Sequence, residues 1–455
     1  MNFKAANGQR FVATSRDERP KSLLAAVGAS LGATLAGQTA LVVSGVLVAR
    51  MLGPANRGYL ALFVLSTTVL FLLGGLGLPA AVSFYTAKRP AQGRAILKLA
   101  VGPLLTQILL LSAMQGVVII VFVASKPSVV RAAGMISIAA VGSCLAADYA
   151  LAGLQGLRRS RAFNILRSMP AVLYALGTLL LFMLHRGSLE TVTVVWVLAS
   201  TITAGAATTA WRSRVPKRHP AVGASPSRVE LLRFGLTGLL GTASPLETLR
   251  LDQAVVGLFL SPTALGLYVV GAAFTNLPRF IGLSIGLVMY PHLAARSNTS
   301  GAIGAFWRFF VLGALASLVV SAVLAVAVGY MIPLFFGSRF VGAVPVARYL
   351  LFGAAFLAAR RILADGARGL GKPGVGSVAE AASWLWLCPA LVLLTPTAGL
   401  IGVSQAFASA SLFSLLVASA SIVRHIRIQQ TAFPTAPQSF AVGREDRDPL
   451  SSIVS

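Results

Sequence analysis

The sequence predicts an all-α membrane protein with about twelve transmembrane helices in two six-helix lobes. Three observations support this fold class: long apolar runs, basic residues concentrated on one side, and an internal repeat. Apolar residues make up 56% of the 455 positions and charged residues only 11%, and the mean hydropathy is +0.82. Soluble domains carry charge on about a quarter of their residues, so the composition indicates a chain that lies in a bilayer.

The apolar runs each reach the length of about 20 residues that a helix needs to cross a bilayer. Helix is the structure expected for them, because it satisfies its own backbone hydrogen bonds in lipid, and no run alternates as barrel strands do. The first run, from Leu23, is too long for a cleaved signal peptide. The predicted spans cover residues 23–49, 59–87, 95–124, 129–153, 163–184, 191–211, 231–258, 263–291, 304–335, 341–363, 375–396 and 399–423.

Basic residues follow this span order. Of the 38 Lys and Arg, 29 fall in the two termini or in and next to the loops after even-numbered spans, and six in or next to the other loops. This positive-inside pattern predicts cytoplasmic termini. A net charge of +26 would favour nucleic acid in a soluble protein, but here the cations lie beside helix ends, where anionic lipid headgroups attract them. The predicted partners are therefore membrane lipids and not nucleic acid.

Metal and cofactor chemistry find no support in the sequence. The two cysteines, Cys144 and Cys388, fall within apolar spans and lack the spacing of a disulfide framework or a metal site. The four histidines are scattered over separate loops and helix ends. No metal and no cofactor are predicted.

The domain boundaries follow from composition. The longest interior break, with prolines at 216, 220 and 226, predicts a cytoplasmic linker between the lobes. The polar, charged tail is expected to be disordered. The predicted units are a cytoplasmic segment 1–21, a lobe 22–211, a linker 212–230, a lobe 231–427 and a cytoplasmic tail 428–455.

The two lobes repeat one another. Segment 48–59 aligns with 256–267 at a shift of 208 residues, and segment 153–157 aligns with 366–370 at a shift of 213. Because each copy holds an even number of spans, both copies keep the same topology. Such parallel repeats commonly enclose a binding site at their interface near the middle of the membrane, although gene duplication alone would also produce the pattern.

A family resemblance is carried by these same segments. The sequence LVARMLGPANRG at 47–58 and GGLGLPAA at 74–81 resemble the opening helices of the bacterial polysaccharide biosynthesis flippases of the Wzx type. LDQ at 251–253 and SPTALGLY at 261–268 resemble the seventh and eighth helices of that family. The family lies within the wider multidrug, oligosaccharidyl-lipid and polysaccharide exporter (MOP) superfamily.

This resemblance implies two lobes in a V, alternating access, and passage of a polyprenyl-diphosphate-linked oligosaccharide across the bacterial inner membrane for surface polysaccharide synthesis. The expected protein is a non-enzymatic monomer that depends on a coupling ion or on the membrane potential and works beside polysaccharide-assembly proteins. The sequence identifies neither the glycan nor the coupling ion.

Three arginines lie inside apolar runs: Arg250, Arg279 and Arg348. Arginine suits a diphosphate, because its planar fork donates two hydrogen bonds at once and stays charged. A charge at the centre of the membrane costs at least about 2.5–3.5 kcal/mol, so these side chains are expected to face the interior. We predict that they bind the headgroup.

Each of these arginines also has a structural interpretation. Glu247 stands three residues before Arg250, a spacing that allows an ion pair on one helical face. Asp252 points away from that face, and with Asp148 it is a candidate for a wider charge network. Arg348 is also compatible with snorkelling to the outer interface.

Four further residues are singled out by position. Arg50 and Arg57 flank the outer end of the first span, as an outer gate or as interface anchors. Pro245 and Pro278 each lie within five residues of a buried arginine and are expected to kink their helices. We predict that these prolines act as hinges, although membrane helices also tolerate proline without such a role.

Two rival functions have different requirements. A membrane polymerase or glycosyltransferase needs outer carboxylates or a sizeable outer domain for acid–base chemistry, whereas Glu190 is the only acidic residue predicted outside. A multidrug or organic-cation antiporter needs carboxylates in its lobes, and the first span has none. The charge balance favours an anionic cargo.

Overall fold

A computed structural model describes residues 20–215, 226–242, 244–295 and 299–432 of the chain. The described chain is helical and shows no strand, as the sequence predicts. Most of the predicted linker and both predicted terminal segments lie outside the described residues. The helices are α1 (Pro20–Gly74), α2 (Leu78–Lys88), α3 (Gly93–Val123), α4 (Ser128–Gly156), α5 (Ser160–Met183), α6 (Leu189–Arg214), α7 (Arg228–Thr242), α8 (Leu251–Phe259), α9 (Pro262–Ala273), α10 (Asn276–Ala294), α11 (Thr299–Phe336), α12 (Ala343–Gly369) and α13 (Gly374–Ala432).

Two helices are far longer than a bilayer is thick. α1 has 55 residues and α13 has 59, about 80–90 Å at 1.5 Å per residue, so each contains two spans. Gly53 (φ 68°, ψ 178°) interrupts α1 and Gly399 (φ 54°, ψ −129°) interrupts α13. Residues 50–58, which the predicted spans leave between the first and second helices, are thus helical except at the kink at Gly53.

Eight described helices are long and apolar enough to cross a membrane, or nine if the bent pair α9 and α10 forms one span. α13 covers two of the predicted spans, whereas α1 covers the first and part of the second, which a turn at residues 75–77 divides between α1 and α2. α7 and α8, with 15 and 9 residues, together cover the predicted seventh span. All twelve predicted spans therefore fall on helical segments. The continuous helix predicted for 231–258 is wrong, since residues 244–250 are not helical.

The two halves of the chain pack in equivalent ways. At the end of α4, Gly156 lies against Thr86 of α2, and at the end of α12, Gly369 lies against Leu293 of α10. These are the positions that the sequence repeat equates at a shift of 213 residues. Extra side-chain volume at either glycine would overlap the neighbouring helix, so both positions need the smallest residue. The internal repeat thus has a structural counterpart.

The two halves of the chain meet at two levels. On the predicted outer side, α1 packs against α9 around Gly58 and Gly266. Towards the predicted cytoplasmic side, α2 packs against α7, where the rings of Phe84 and Phe234 stack with centroids 4.5 Å apart. Gly77, with φ 65°, brings the start of α2 against the backbone of Gly235.

Candidate functional site

The interruption between α7 and α8 is the local feature that organises the candidate site. Pro245 has no N–H to continue the helix, and it disfavours helical backbone at the residue before it. The segment instead closes turns, in which the amide of Leu249 donates to the carbonyl of Ser244 at 2.9 Å and the amide of Leu251 donates to that of Pro245 at 2.9 Å. Irregular backbone at membrane depth is tolerated only where protein or a cavity surrounds it.

Arg250 ends this irregular segment and caps α8. Its backbone is left-handed (φ 46°, ψ 53°), a conformation that costs a non-glycine residue about 1–2 kcal/mol. The side chain is exposed and interacts electrostatically with Asp252 and Arg279. No acid of the described residues lies within ion-pairing distance of its guanidinium.

Arg279 lies close to Arg250 from the neighbouring helix, α10. Its guanidinium carbon stands 5.7 Å from the ring centroid of Phe407 on α13, in cation–π geometry. Its Nε is buried without a hydrogen-bond partner. The two arginines predicted to be the leading headgroup contacts are therefore neighbours, and neither is locked in an ion pair within the described chain.

Asp252 is the buried acid beside these arginines. Tyr268 of α9 donates a hydrogen bond to its Oδ2 at 2.6 Å, while its Oδ1 is buried without a partner. Asp252 and Tyr268 are 4% and 0% exposed, so the pair is enclosed by protein. The tertiary structure alone brings them together, because the chain reverses between α8 and α9.

Glu247 pairs with two arginines of α12 and not with Arg250, which its sequence spacing suggested. Its Oε2 lies 3.8 Å from Arg360 and 3.6 Å from Arg361 of α12. The helical pair with Arg250 does not form, because residues 244–250 are not helical. Glu247 instead ties the irregular segment to α12.

The Glu247 contacts belong to a larger ion-pair network at the predicted cytoplasmic third of α12. Arg360, 3% exposed, pairs with Glu380 of α13 at 2.9 Å and donates to Ser383 Oγ at 3.3 Å. Asp365 accepts from Arg361 at 3.1 Å and from Arg368 at 3.0 Å. This network was not predicted from the sequence, although Arg361 and Arg368 stand four residues before and three residues after Asp365, at spacings that pair on a helix.

Arg348, the third predicted headgroup contact, lies apart from Arg250 and Arg279. It is exposed on α12, and its Nε donates to the carbonyl of Ala325 in α11 at 3.1 Å. Its guanidinium therefore bonds a carbonyl of the neighbouring helix, apart from Arg250 and Arg279.

The N-terminal half holds two other predicted residues. Asp148 on α4 has no ion-pair partner among the described residues, and it does not join the network of Glu247. It interacts electrostatically with Cys144 and Tyr149 of its own helix. Arg57 is half-buried, its Nε lacks a partner, and it interacts electrostatically with Tyr174 of α5. Asp148 thus lies apart from the charge network predicted for it.

Arg50 connects the two halves of the chain on the predicted outer side. Its Nε donates to the carbonyl of Phe335 at 2.6 Å and its Nη2 to that of Leu334 at 2.5 Å. Both carbonyls belong to the last turn of α11, where no intrahelical donor remains. The contact is compatible with the predicted gate.

The two predicted hinges differ in form. Pro245 lies in the irregular turn and not in a kinked helix. Pro278 is the third residue of α10, just after a break at which α9 and α10 bend by 43°. A first turn tolerates proline because its N–H groups have no partner there.

No metal centre is indicated by the described residues, since they contain no group of three or more His, Cys, Asp or Glu side chains able to hold a metal ion. Cys144 is half-buried and Cys388 exposed, and both are free thiols. The chemistry of the region is that of arginine, carboxylate and tyrosine.

Comparison with known proteins places this geometry in a family context. The family model described as polysaccharide biosynthesis protein matches residues 47–345. No curated protein sequence matches the chain.

Solved structures share the fold. The lipid II flippase MurJ in an inward closed conformation aligns with a TM-score of 0.67 and 13% identity, over 87% of each chain. An inward-facing multidrug resistance MATE family transporter of the MOP superfamily aligns with a TM-score of 0.69 and 15% identity, over 88% of this chain and 96% of that one. A MOP superfamily transporter from Pyrococcus furiosus, described as having a binding pocket of reverse polarity, aligns at 0.56 and 14%, over 91% and 97%. The predicted fold class is confirmed.

Proposed function

Because the chain belongs to the polysaccharide biosynthesis protein family, we propose that it is a flippase that moves a polyprenyl-diphosphate-linked oligosaccharide across the bacterial inner membrane. The cargo enters from the cytoplasmic leaflet and leaves in the outer leaflet, where surface polysaccharide is assembled. Its diphosphate crosses between the lobes while the hydrocarbon tail stays in lipid. The MurJ structure, with the same fold, is that of a lipid II flippase.

The observation that carries this proposal is the pair of unpaired arginines, Arg250 and Arg279. A guanidinium at membrane depth is costly unless it finds a partner, and the described chain offers neither of them an ion pair. A diphosphate supplies charge-assisted, bidentate hydrogen bonds to both. The aromatic ring of Phe407 supports Arg279 while leaving its donors available.

The proposed activity is transport and not catalysis. A diphosphate held by two arginines needs no acid–base step to change leaflets. Each carboxylate of the network around Arg360 pairs with at least one guanidinium group, which stabilises its charged form and makes it a poor catalytic base. The family match itself names polysaccharide biosynthesis, which requires export as well as synthesis.

The proposed cycle uses the two lobes as alternating gates. The contacts of α1 with α9 close the outer side, and those of α2 with α7 close the inner side. The protein works as a monomer with both termini in the cytoplasm, next to polysaccharide-assembly proteins. A coupling ion or the membrane potential supplies the direction.

The test is to delete the gene and measure lipid-linked glycan in each leaflet of the inner membrane. Loss of the protein should leave the glycan lipid facing the cytoplasm. Complementation with the wild type should restore export, whereas Arg279→Ala should fail at normal protein level. Arg348→Ala is the matched control, because Arg348 binds a helix carbonyl outside the cluster and should restore most export.

Normal surface polysaccharide in the deletion strain, or full export by Arg279→Ala, would contradict the proposal. A second candidate function is a multidrug or organic-cation antiporter, and one observation favours it: the unpaired carboxylate of Asp148 in the N-terminal half. An antiporter predicts that the deletion strain accumulates drug and that a strain carrying Asp148→Asn loses drug resistance. Glycan export should be unchanged in both strains.

A further inference from the structure

Asp252 has two arginines nearby and pairs with neither. It interacts electrostatically with Arg279 and Arg250, yet neither guanidinium comes within ion-pairing distance among the described contacts. The carboxylate is instead held by the hydroxyl of Tyr268 at 2.6 Å. A buried carboxylate close to two cations would normally be expected to pair with one of them.

Two polar atoms near Asp252 lack hydrogen-bond partners that a different orientation of its carboxylate would supply. Its Oδ1 is buried and unpartnered, and so is the Nε of Arg279. Both gain if the carboxylate turns from Tyr268 towards the arginines. The charged and titratable groups recorded around Asp252 are Tyr268 from α9, Arg279 from α10 and Arg250 at the start of its own helix.

We propose that Asp252 is a displaceable counter-ion of the arginine pair, and that Tyr268 holds it in reserve. With the carboxylate on Tyr268, as observed, Arg250 and Arg279 are free for an anionic diphosphate. When the carboxylate turns to the arginines it competes with the diphosphate and releases it. No proton or electron changes place, because Tyr268 keeps its proton in both arrangements. This inference rests on the proposed function, since it assigns the release step of the same site.

A counter-ion of this kind speeds the release of the cargo. A site with two permanently free arginines would hold any diphosphate tightly and release it slowly. A neighbouring carboxylate lowers the affinity for the anion without touching the glycan. Turnover then depends on the exchange of Asp252 between two partners.

The experiment measures binding of farnesyl diphosphate to the purified full chain in detergent by calorimetry. Tyr268→Phe should weaken binding about tenfold. The variant removes the hydrogen bond that holds the carboxylate of Asp252, so the carboxylate turns to the arginines and competes with the diphosphate. Asp252→Asn should strengthen binding about tenfold, because the competing charge is gone. In the double variant the effect of Tyr268→Phe should disappear.

Tyr149→Phe is the matched control. Tyr149 is also buried and also donates one short hydrogen bond, to Gln107 Oε1 at 2.7 Å, but it has no arginine pair beside it. This variant should leave the affinity unchanged. Asp252→Ser serves as a second neutral variant where Asp252→Asn lowers the yield of folded protein.

The outcomes separate the two proposals. If the wild type does not bind farnesyl diphosphate, or if Arg279→Ala binds it equally well, the proposed headgroup site is wrong. If binding depends on Arg279 but the Tyr268→Phe penalty persists in the Asp252→Asn background, Tyr268 acts through packing alone and the counter-ion inference is overturned.

Discussion

Gly58 and Gly266, 208 residues apart and equivalent in the internal repeat, pack reciprocally against each other's helix. A Cβ on Gly58 would overlap the carbonyl oxygen of Pro262, and a Cβ on Gly266 would overlap that of Pro54. Pro54 and Pro262 are themselves equivalent at the same shift. The contact is thus made twice by the same motif, as a local two-fold relationship requires. The repeated sequence serves as the closing surface on the predicted outer side.

Replacing Gly58 with Leu should open this surface. The overlapping atoms are backbone, which cannot move aside, and overpacking costs about 1–3 kcal/mol, or about a five- to 150-fold change in a two-state equilibrium. Spin labels next to Gly53 in the middle of α1 and at the start of α9 should report longer distances, with export reduced. Gly45→Leu is the control, because a Cβ at Gly45 meets nothing within 4 Å. Unchanged distances in Gly58→Leu would show that the packing of Gly58 against Gly266 does not hold the outer side closed.

Arg50→Met should destabilise the same closed side. The variant removes the donors that Arg50 supplies to Phe335 and Leu334 in the last turn of α11, where a positive charge is also favourable by about 0.3–1 kcal/mol. A cysteine at Asn56 in a background without native cysteines should react faster with a membrane-impermeant thiol reagent.

Arg131→Met is the matched control for Arg50, since Arg131 is also exposed but bonds within its own half, to Ala124. It should leave the reactivity of the cysteine at Asn56 as in the parent. Equal reactivity in all three proteins would argue against a latch role for Arg50.

Arg360→Leu and Arg361→Leu should differ sharply in stability. Arg360 is buried between Glu247 and Glu380, and removing one partner of a buried pair costs about 3–5 kcal/mol. Arg361 has a side chain 39% exposed, where a pair contributes about 0–1 kcal/mol. Thermal unfolding in detergent measures both variants. A similar loss in the two would mean that the network is not centred on Arg360.

Pro278→Ala should slow export if the bend between α9 and α10 is a hinge. Alanine restores an N–H and allows helix to continue across Thr275, which would straighten a bend of 43°. The measurement is the rate of glycan appearance in the outer leaflet at matched protein level. Unchanged transport in a variant that inserts normally would remove Pro278 from the mechanism.

Much of the fold could be predicted from the chain because bilayer physics acts on local sequence. A span needs about 20 apolar residues wherever it stands, and basic loops fix its orientation. The same logic failed in the seventh span, where apolar helix stands on both sides of residues 244–250 but the backbone between them turns. Periodicity cannot show such a break, because the residues on both sides remain apolar.

The candidate site was predictable only in part. Arg250 and Arg279 stood out because charge inside an apolar run is rare. Their neighbours Tyr268 and Phe407 gave no such signal, since an aromatic residue in a membrane helix is commonplace. The pair of Glu247 with Arg250, which the sequence spacing allowed, does not form because that spacing has meaning only on a continuous helix.

By itself the sequence determined that this protein is a duplicated bundle of membrane helices with arginines at membrane depth, because hydropathy, charge bias and repeat spacing are properties of the chain read in order. The tertiary structure decided which charges pair. Glu247 turns to Arg360, Asp252 to Tyr268, and Arg279 is left open, because these partners come from different helices and their distances depend on how the helices cross.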